Sequence, residues 1–235
     1  MNELYLLCVS AVSLGIIHTV LGPDHYLPFI VLSKSRNWSG TKTMWITFIS
    51  GIGHVGSSIL IGICGIALGI SLNKLQAIEA NRGTIVAWML IGFGIIYSIY
   101  GAFKYFHHGS HFHLPAFLRP KSIRNLDHGE DIMTEIDKKG SKNITPWILF
   151  LIFVFGPCEV LIPLLIFPAA EKNMYGVLLV SVLFALSTIL TMMSIVYLGY
   201  KGASFLNLKG KEHYIHFFAG LVILFTGIGM QFLGW

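Results

Sequence analysis

The sequence predicts an all-α polytopic membrane protein whose six transmembrane helices form a 3+3 inverted repeat, with helices one and four broken. Three observations carry that expectation. The chain has 235 residues, of which 54% are hydrophobic and only 11% charged, and its mean hydropathy is +0.72; a soluble domain carries about 25% charged residues. Its apolar runs are longer than the roughly 20 residues a helix needs to cross a bilayer. Finally, Gly22-Pro23-Asp24-His25 returns as Gly156-Pro157-Cys158-Glu159, an offset of 134 (156 − 22).

The spans are read over residues 4–33, 42–71, 84–106, 145–170, 174–200 and 214–234. No Lys or Arg precedes the first, and Glu3 sits there instead, which argues against a cleavable leader. Within it Gly22-Pro23 breaks the helix, because proline lacks a donor and clashes with the preceding turn. The second span is long enough to tilt and carries Ser50-Gly-Ile-Gly-His54-Val-Gly-Ser57-Ser58, whose small residues permit close helix approach. The third contains Ile91-Gly92-Phe93-Gly94. The fourth is broken at Gly156-Pro157 and has Pro163 after the break, as the first has Pro28. The fifth reaches Gly199 as the second reaches Gly62, a register that sets Thr191 at the position of His54. The sixth reads Thr226-Gly227-Ile228-Gly229, offset by 135 (226 − 91) from the third.

Three spans per half is an odd number, so the halves must face opposite ways across the membrane. The expected units are residues 1–106, a loop at 107–144, and residues 145–235. Inverted repeats of this kind place their site near the midplane, at discontinuous helices. Broken backbone at that depth is tolerated only where protein or a polar cavity meets the freed groups.

Thirteen of the sixteen Lys and Arg residues fall after spans one, three and five; Lys74, Arg82 and Lys172 fall on the other side. The positive-inside rule then puts loop 107–144 in the cytoplasm and both termini outside the cell membrane. The net charge of +5 reflects that topology, and no basic stripe with interleaved aromatics points to nucleic acid. The lipid bilayer is the expected partner, and homo-oligomerisation stays open. Cys8 and Cys64 lie in apolar runs and are expected to be small core residues.

Ionisable groups inside apolar spans are expensive and point to an ion or proton pathway. His18, Asp24, His25 and His54 come from the first half, Cys158 and Glu159 from the second. On a continuous helix His18 and His25 would share a face but stand roughly 10 Å apart along the axis; the Gly-Pro break lets them lean together. Neutral imidazole with carboxylate suits zinc, nickel, cobalt or ferrous iron better than calcium or magnesium. Each residue also has a plainer reading. His54 alone could bond a neighbouring helix, Asp24 and His25 could pair with each other, and Glu159 could carry protons.

His18 to Asp24-His25, with five intervening residues where the signature has four, resembles the His…Asp-His element of nickel/cobalt transporters. Gly51-Ile-Gly-His54 resembles the second-helix element of NicO-type nickel/cobalt exporters and urease-accessory-like membrane proteins. The resemblance implies a transition-metal permease, with His18, Asp24, His25 and His54 on the metal path. Gly156-Pro157-Cys158-Glu159-Val-Leu-Ile-Pro163 resembles the Pro-Cys-x-x-x-Pro element of the thiol-disulfide carriers of cytochrome c biogenesis, which share a six-helix inverted repeat. Those carriers have a Cys in each half, and here the first-half position holds Asp24.

The long polar loop opens with His107-His108-Gly-Ser-His111-Phe-His113, a composition that suits metal collection or a solvated linker. The resulting expectation is a non-enzymatic exporter of a divalent transition metal, nickel or cobalt by resemblance, with no cofactor beyond the ion. A thiol-disulfide electron carrier using Cys158, and an anion or organosulfur exporter, are the alternatives.

Overall fold

The computed structural model describes residues 2–106, 141–171, 173–204 and 212–233. Among them the regular structure is entirely helical: α1 (Asn2–Leu21), a 3-10 turn (Pro23–His25), α2 (Leu27–Ser35), α3 (Gly40–Ala67), α4 (Leu72–Phe106), α5 (Ser141–Phe155), α6 (Leu161–Ala170), α7 (Met174–Ser204) and α8 (Glu212–Phe232). The His107–His113 tract lies outside the described residues. Five helices, over Glu3–Leu21, Gly40–Ala67, Leu72–Phe103, Met174–Ala203 and Tyr214–Phe232, are long and apolar enough to cross a membrane, and Thr145–Phe155 is a shorter apolar helix. The outward faces are apolar too: Leu60, Ile96, Leu198 and Phe225 are all more than 60% exposed. So large an apolar exterior suits lipid, not water.

Cys64 is exposed and Cys8 half-buried, so the expectation of two core cysteines fails. In a bilayer the surround is itself apolar, and an apolar residue need not turn inward. Arg82 is a second correction. The third helix begins at Leu72, well before the apolar run, so Arg82 lies within α4 and not in a loop.

Both Gly-Pro sites break their helices. Gly22 is extended (φ −91°, ψ 91°) between α1 and the 3-10 turn. Pro28 sits in the first turn of α2, where a missing N–H has no partner to lose. Other ends follow ordinary rules. Asn37 (φ 50°) and Gly69 (φ 66°) are the two positive-φ residues among those described, and each closes a helix. Trp38 N donates to Ser33 O and Asn37 N to Lys34 O; Ile70 N donates to Gly65 O and Gly69 N to Ile66 O. These are paired Schellman bonds around a left-handed residue. Ser39 then caps α3 by accepting from Lys42 N.

α4 and α8 form the tightest helix pair. A methyl group at Gly94 would strike the backbone of Leu224, at Gly101 that of Phe217, at Gly220 that of Ser98, and at Gly227 that of Ile91. Small residues thus bring two backbones together, as membrane helix pairs require. The contacts are reciprocal. Gly94 meets Leu224 and Gly227 meets Ile91, while Gly101 meets Phe217 and Gly220 meets Ser98, so the two helices run antiparallel. Elsewhere α1 lies on α7 and α5 on α3, α2 lies on α8 and α6 on α4, and α3 lies on α7. Ser35 Oγ meets Tyr97 OH at 2.9 Å, and Tyr97 OH meets His216 Nδ1 at 3.1 Å, which ties the end of α2 to the α4–α8 pair.

Gly220→Val puts branched carbon on the Ser98 backbone. The expected loss is about 1–3 kcal/mol from overpacking, read as a lower thermal transition of the detergent-solubilised protein. An unchanged transition would show that α4 and α8 do not meet at this point.

Candidate metal centre

Three imidazoles from two helices and one break converge. His18 comes from the last turn of α1, His25 from the 3-10 turn, and His54 from the middle of α3. One ligand nitrogen from each lies within 4.8 Å of the other two. His25 Nε2 and His54 Nε2 are 3.2 Å apart. With metal–nitrogen bonds of about 2.0–2.1 Å, two ligands of a tetrahedral ion stand about 3.3 Å apart, so this pair already has the required spacing. His18 is half-buried, and its nitrogen lies within 4.8 Å of the other two. The His18 and His25 rings meet edge to face at 4.7 Å, as do His25 and His54 at 4.9 Å.

The break makes this possible. Ending α1 at Leu21 lets the chain fold back, so that His25 returns beside His18 and does not stand two turns further along the axis. His25 Nδ1 lies 3.1 Å from the Gly22 carbonyl and 3.2 Å from Asp24 Oδ1. With Nδ1 as donor to both, Nε2 keeps its lone pair and points at His54. Carboxylates commonly orient and enrich metal-binding imidazoles in this way. Asp24 therefore stands behind His25 and outside the triad of nitrogens. His54 Nδ1 is buried and faces the Phe153 carbonyl without reaching hydrogen-bond geometry. Phe184 beside His18 and Phe153 beside His54 supply apolar walls.

The second-half residues separate. Cys158 is fully buried, and its Sγ lies 3.9 Å from His18 Nε2. Glu159 is exposed and lines an open recess of about 460 Å³ with Gln76, Ala77, Ala80 and Val160. The structure thus brings His18, His25 and His54 together, sets Asp24 and Cys158 at their edges, and turns Glu159 away.

Two features of the site go beyond what the sequence predicts. One is Gly156, which the sequence marks only as a helix breaker; a methyl group there would lie 2.9 Å from His54 Nδ1. The other is the pair Glu79 and Arg82, whose side chains sit against the second break. Their i, i+3 spacing in α4 was the available signal, since oppositely charged residues at that interval share a helix face.

No protein-family model, curated protein or solved structure matches the chain.

Neither Gly22 nor Gly156 has a positive φ, so alanine is allowed by the backbone at both, and any effect is steric. Gly156→Ala displaces the His54 ring and is expected to weaken cobalt(II) binding about tenfold, the low end of what outer-shell changes do to metal affinity. Equilibrium dialysis of the folded variant measures this, and wild-type affinity would remove Gly156 from the site.

Proposed function

We propose that this chain is a transporter that moves a divalent transition metal, nickel or cobalt, out of the cytoplasm. The observation that carries the reading is the convergence of His18, His25 and His54 within 4.8 Å inside a bundle of apolar helices. Buried ionisable groups at that depth are costly and are kept for function, and an all-imidazole face suits a first-row transition metal. Nickel or cobalt rests on the resemblance of the His18–His25 segment and of Gly51–His54 to nickel/cobalt permeases. Zinc and ferrous iron are the other ions of fitting chemistry. His18, His25 and His54 bind the ion, Asp24 orients His25, and Cys158 offers a nearby sulfur.

The scaffold we propose is the six-span 3+3 inverted repeat, with α1–α2 and α5–α6 each counted as one broken span. Its support is the exchange of helix contacts between halves: α1 lies on α7 as α5 lies on α3, and α2 on α8 as α6 on α4. At the register read from the sequence the counterpart of His54 is Thr191, which has no imidazole. Both termini are assigned outside the cell, and loop 107–144 to the cytoplasm, where its histidines would collect the ion for export.

The binding test uses purified protein with His107, His108, His111 and His113 replaced by Ala, so that only membrane-embedded ligands remain. His54→Ala is expected to abolish saturable cobalt(II) or nickel(II) binding. Asp24→Asn is expected to weaken it about 10–100-fold, as loss of an outer-shell partner does. Wild-type affinity in both variants would refute the site.

Cys158 separates this reading from thiol chemistry. Disulfide exchange needs a second thiol, and the cysteine nearest the site is Cys158 itself, with Cys8 and Cys64 elsewhere. Cys158→Ser is therefore expected to lower metal flux into loaded vesicles without ending it. A mixed disulfide trapped between Cys158 and a partner protein, with flux unaffected, would favour the electron carrier. The anion-exporter reading would need the free N–H groups after the second break, and that of Cys158 already donates to Glu79.

A further inference from the structure

We infer that Glu79 and Arg82 are positioning residues: they lock the break between α5 and α6 to the His54 turn of α3, and so hold the third imidazole in place. The role in metal binding rests on the function proposed above.

Ending α5 at Phe155 frees the carbonyls around it, and Pro157 separates them from the next available N–H. Arg82 Nη2 lies 3.0 Å from Val154 O and 3.1 Å from Gly156 O, close enough for one N–H to be shared between the two carbonyls. Glu79 Oε2 accepts from Cys158 N at 2.9 Å. Two side chains of α4 thus replace the hydrogen bonds lost at the break. Glu79 is fully buried, and Arg82 Nη1 pairs with its Oε1.

The same two residues reach α3. Arg82 Nη2 donates to Ser57 Oγ at 2.7 Å, and Ser57 Oγ donates to the His54 carbonyl at 2.9 Å. Ser58 Oγ donates to Glu79 Oε2 at 3.0 Å. One guanidinium therefore joins the carbonyls of the break to the turn that carries His54. Gly156, whose carbonyl Arg82 holds, leaves only the room that His54 Nδ1 occupies. If the break shifts, Gly156 shifts with it and the ring loses its wall.

A planar guanidinium offers five N–H groups in a fixed fork, and an ammonium cannot reproduce them. Arg82→Lys keeps the charge that offsets buried Glu79, but its one nitrogen cannot stand both against Glu79, as Nη1 does, and among Val154, Gly156 and Ser57, as Nη2 does. Ser57→Ala is the gentler variant, because it removes only the relay to His54. Both are made with Cys8→Ser and Cys64→Ser, so that Cys158 is the one thiol, and the folded fraction is isolated by gel filtration.

Two measurements follow. The first is the alkylation rate of Cys158 in metal-free protein, expected to rise about tenfold in Arg82→Lys as the break loosens. The second is cobalt(II) affinity with its visible ligand-field bands, which report ligand geometry. The dissociation constant is expected to rise about 10–100-fold in Arg82→Lys and by a smaller factor in Ser57→Ala, with altered bands in both. A role confined to folding would lower yield and leave the affinity and bands of the folded fraction unchanged; that result overturns the inference. So does a Cys158 rate equal to that of the parent. Should the parent itself bind no cobalt(II), the metal reading fails, and the latch stands or falls on the Cys158 rate.

Discussion

Backbone polar groups freed inside an apolar surround must find partners within the protein, and the two Gly-Pro breaks meet that demand by different means. The first break looks after itself. His25 N donates to the Gly22 carbonyl, the His25 ring bonds the same carbonyl, and Asp24 bonds the ring. The second break borrows from another helix, taking Glu79 and Arg82 of α4 as acceptor and donor. Every other feature of the site follows from how these two corners are held.

That difference makes the two halves chemically unequal. In the first half the residues after Gly-Pro are Asp24 and His25, and they turn toward His18 and His54. In the second half they are Cys158 and Glu159. The thiol turns inward against His18, and the carboxylate turns out to an open recess. The imidazoles thus come from one half alone. The other half contributes the wall that confines them, through Gly156, Phe153 and Phe184.

Burying a Glu–Arg pair is a poor way to gain stability, because desolvation offsets the attraction. Its value at the second break lies in geometry. The pair satisfies two carbonyls and an amide that no apolar side chain could serve. The tight α4–α8 contact, where glycines let backbones touch, keeps α4 in place to do so. Helix–helix closeness at one side of the bundle and hydrogen-bond satisfaction at the other are therefore linked through a single helix.

Much of this was legible in the sequence. Apolar runs gave the helices, since a bilayer sets their length, and Gly-Pro gave both breaks, since proline cannot continue a hydrogen-bond ladder. His18, His25 and His54 were visible among six costly groups in apolar spans, two of the three flanking a helix break and His54 lying mid-helix. Helix ends were harder, because α4 continues past its apolar run as far as Leu72; Arg82 thus read as a loop residue. Cys64 read as core because apolarity says nothing about direction when the outside is lipid. The tertiary structure alone decided that Asp24 stands behind His25, that Glu159 faces away while Cys158 faces in, and that Glu79 and Arg82 serve the second break. Sequence spacing describes which residues share a helix face. Where a broken helix points its next two side chains depends on the backbone angles at the break, and those are set by partners from helices distant in the chain.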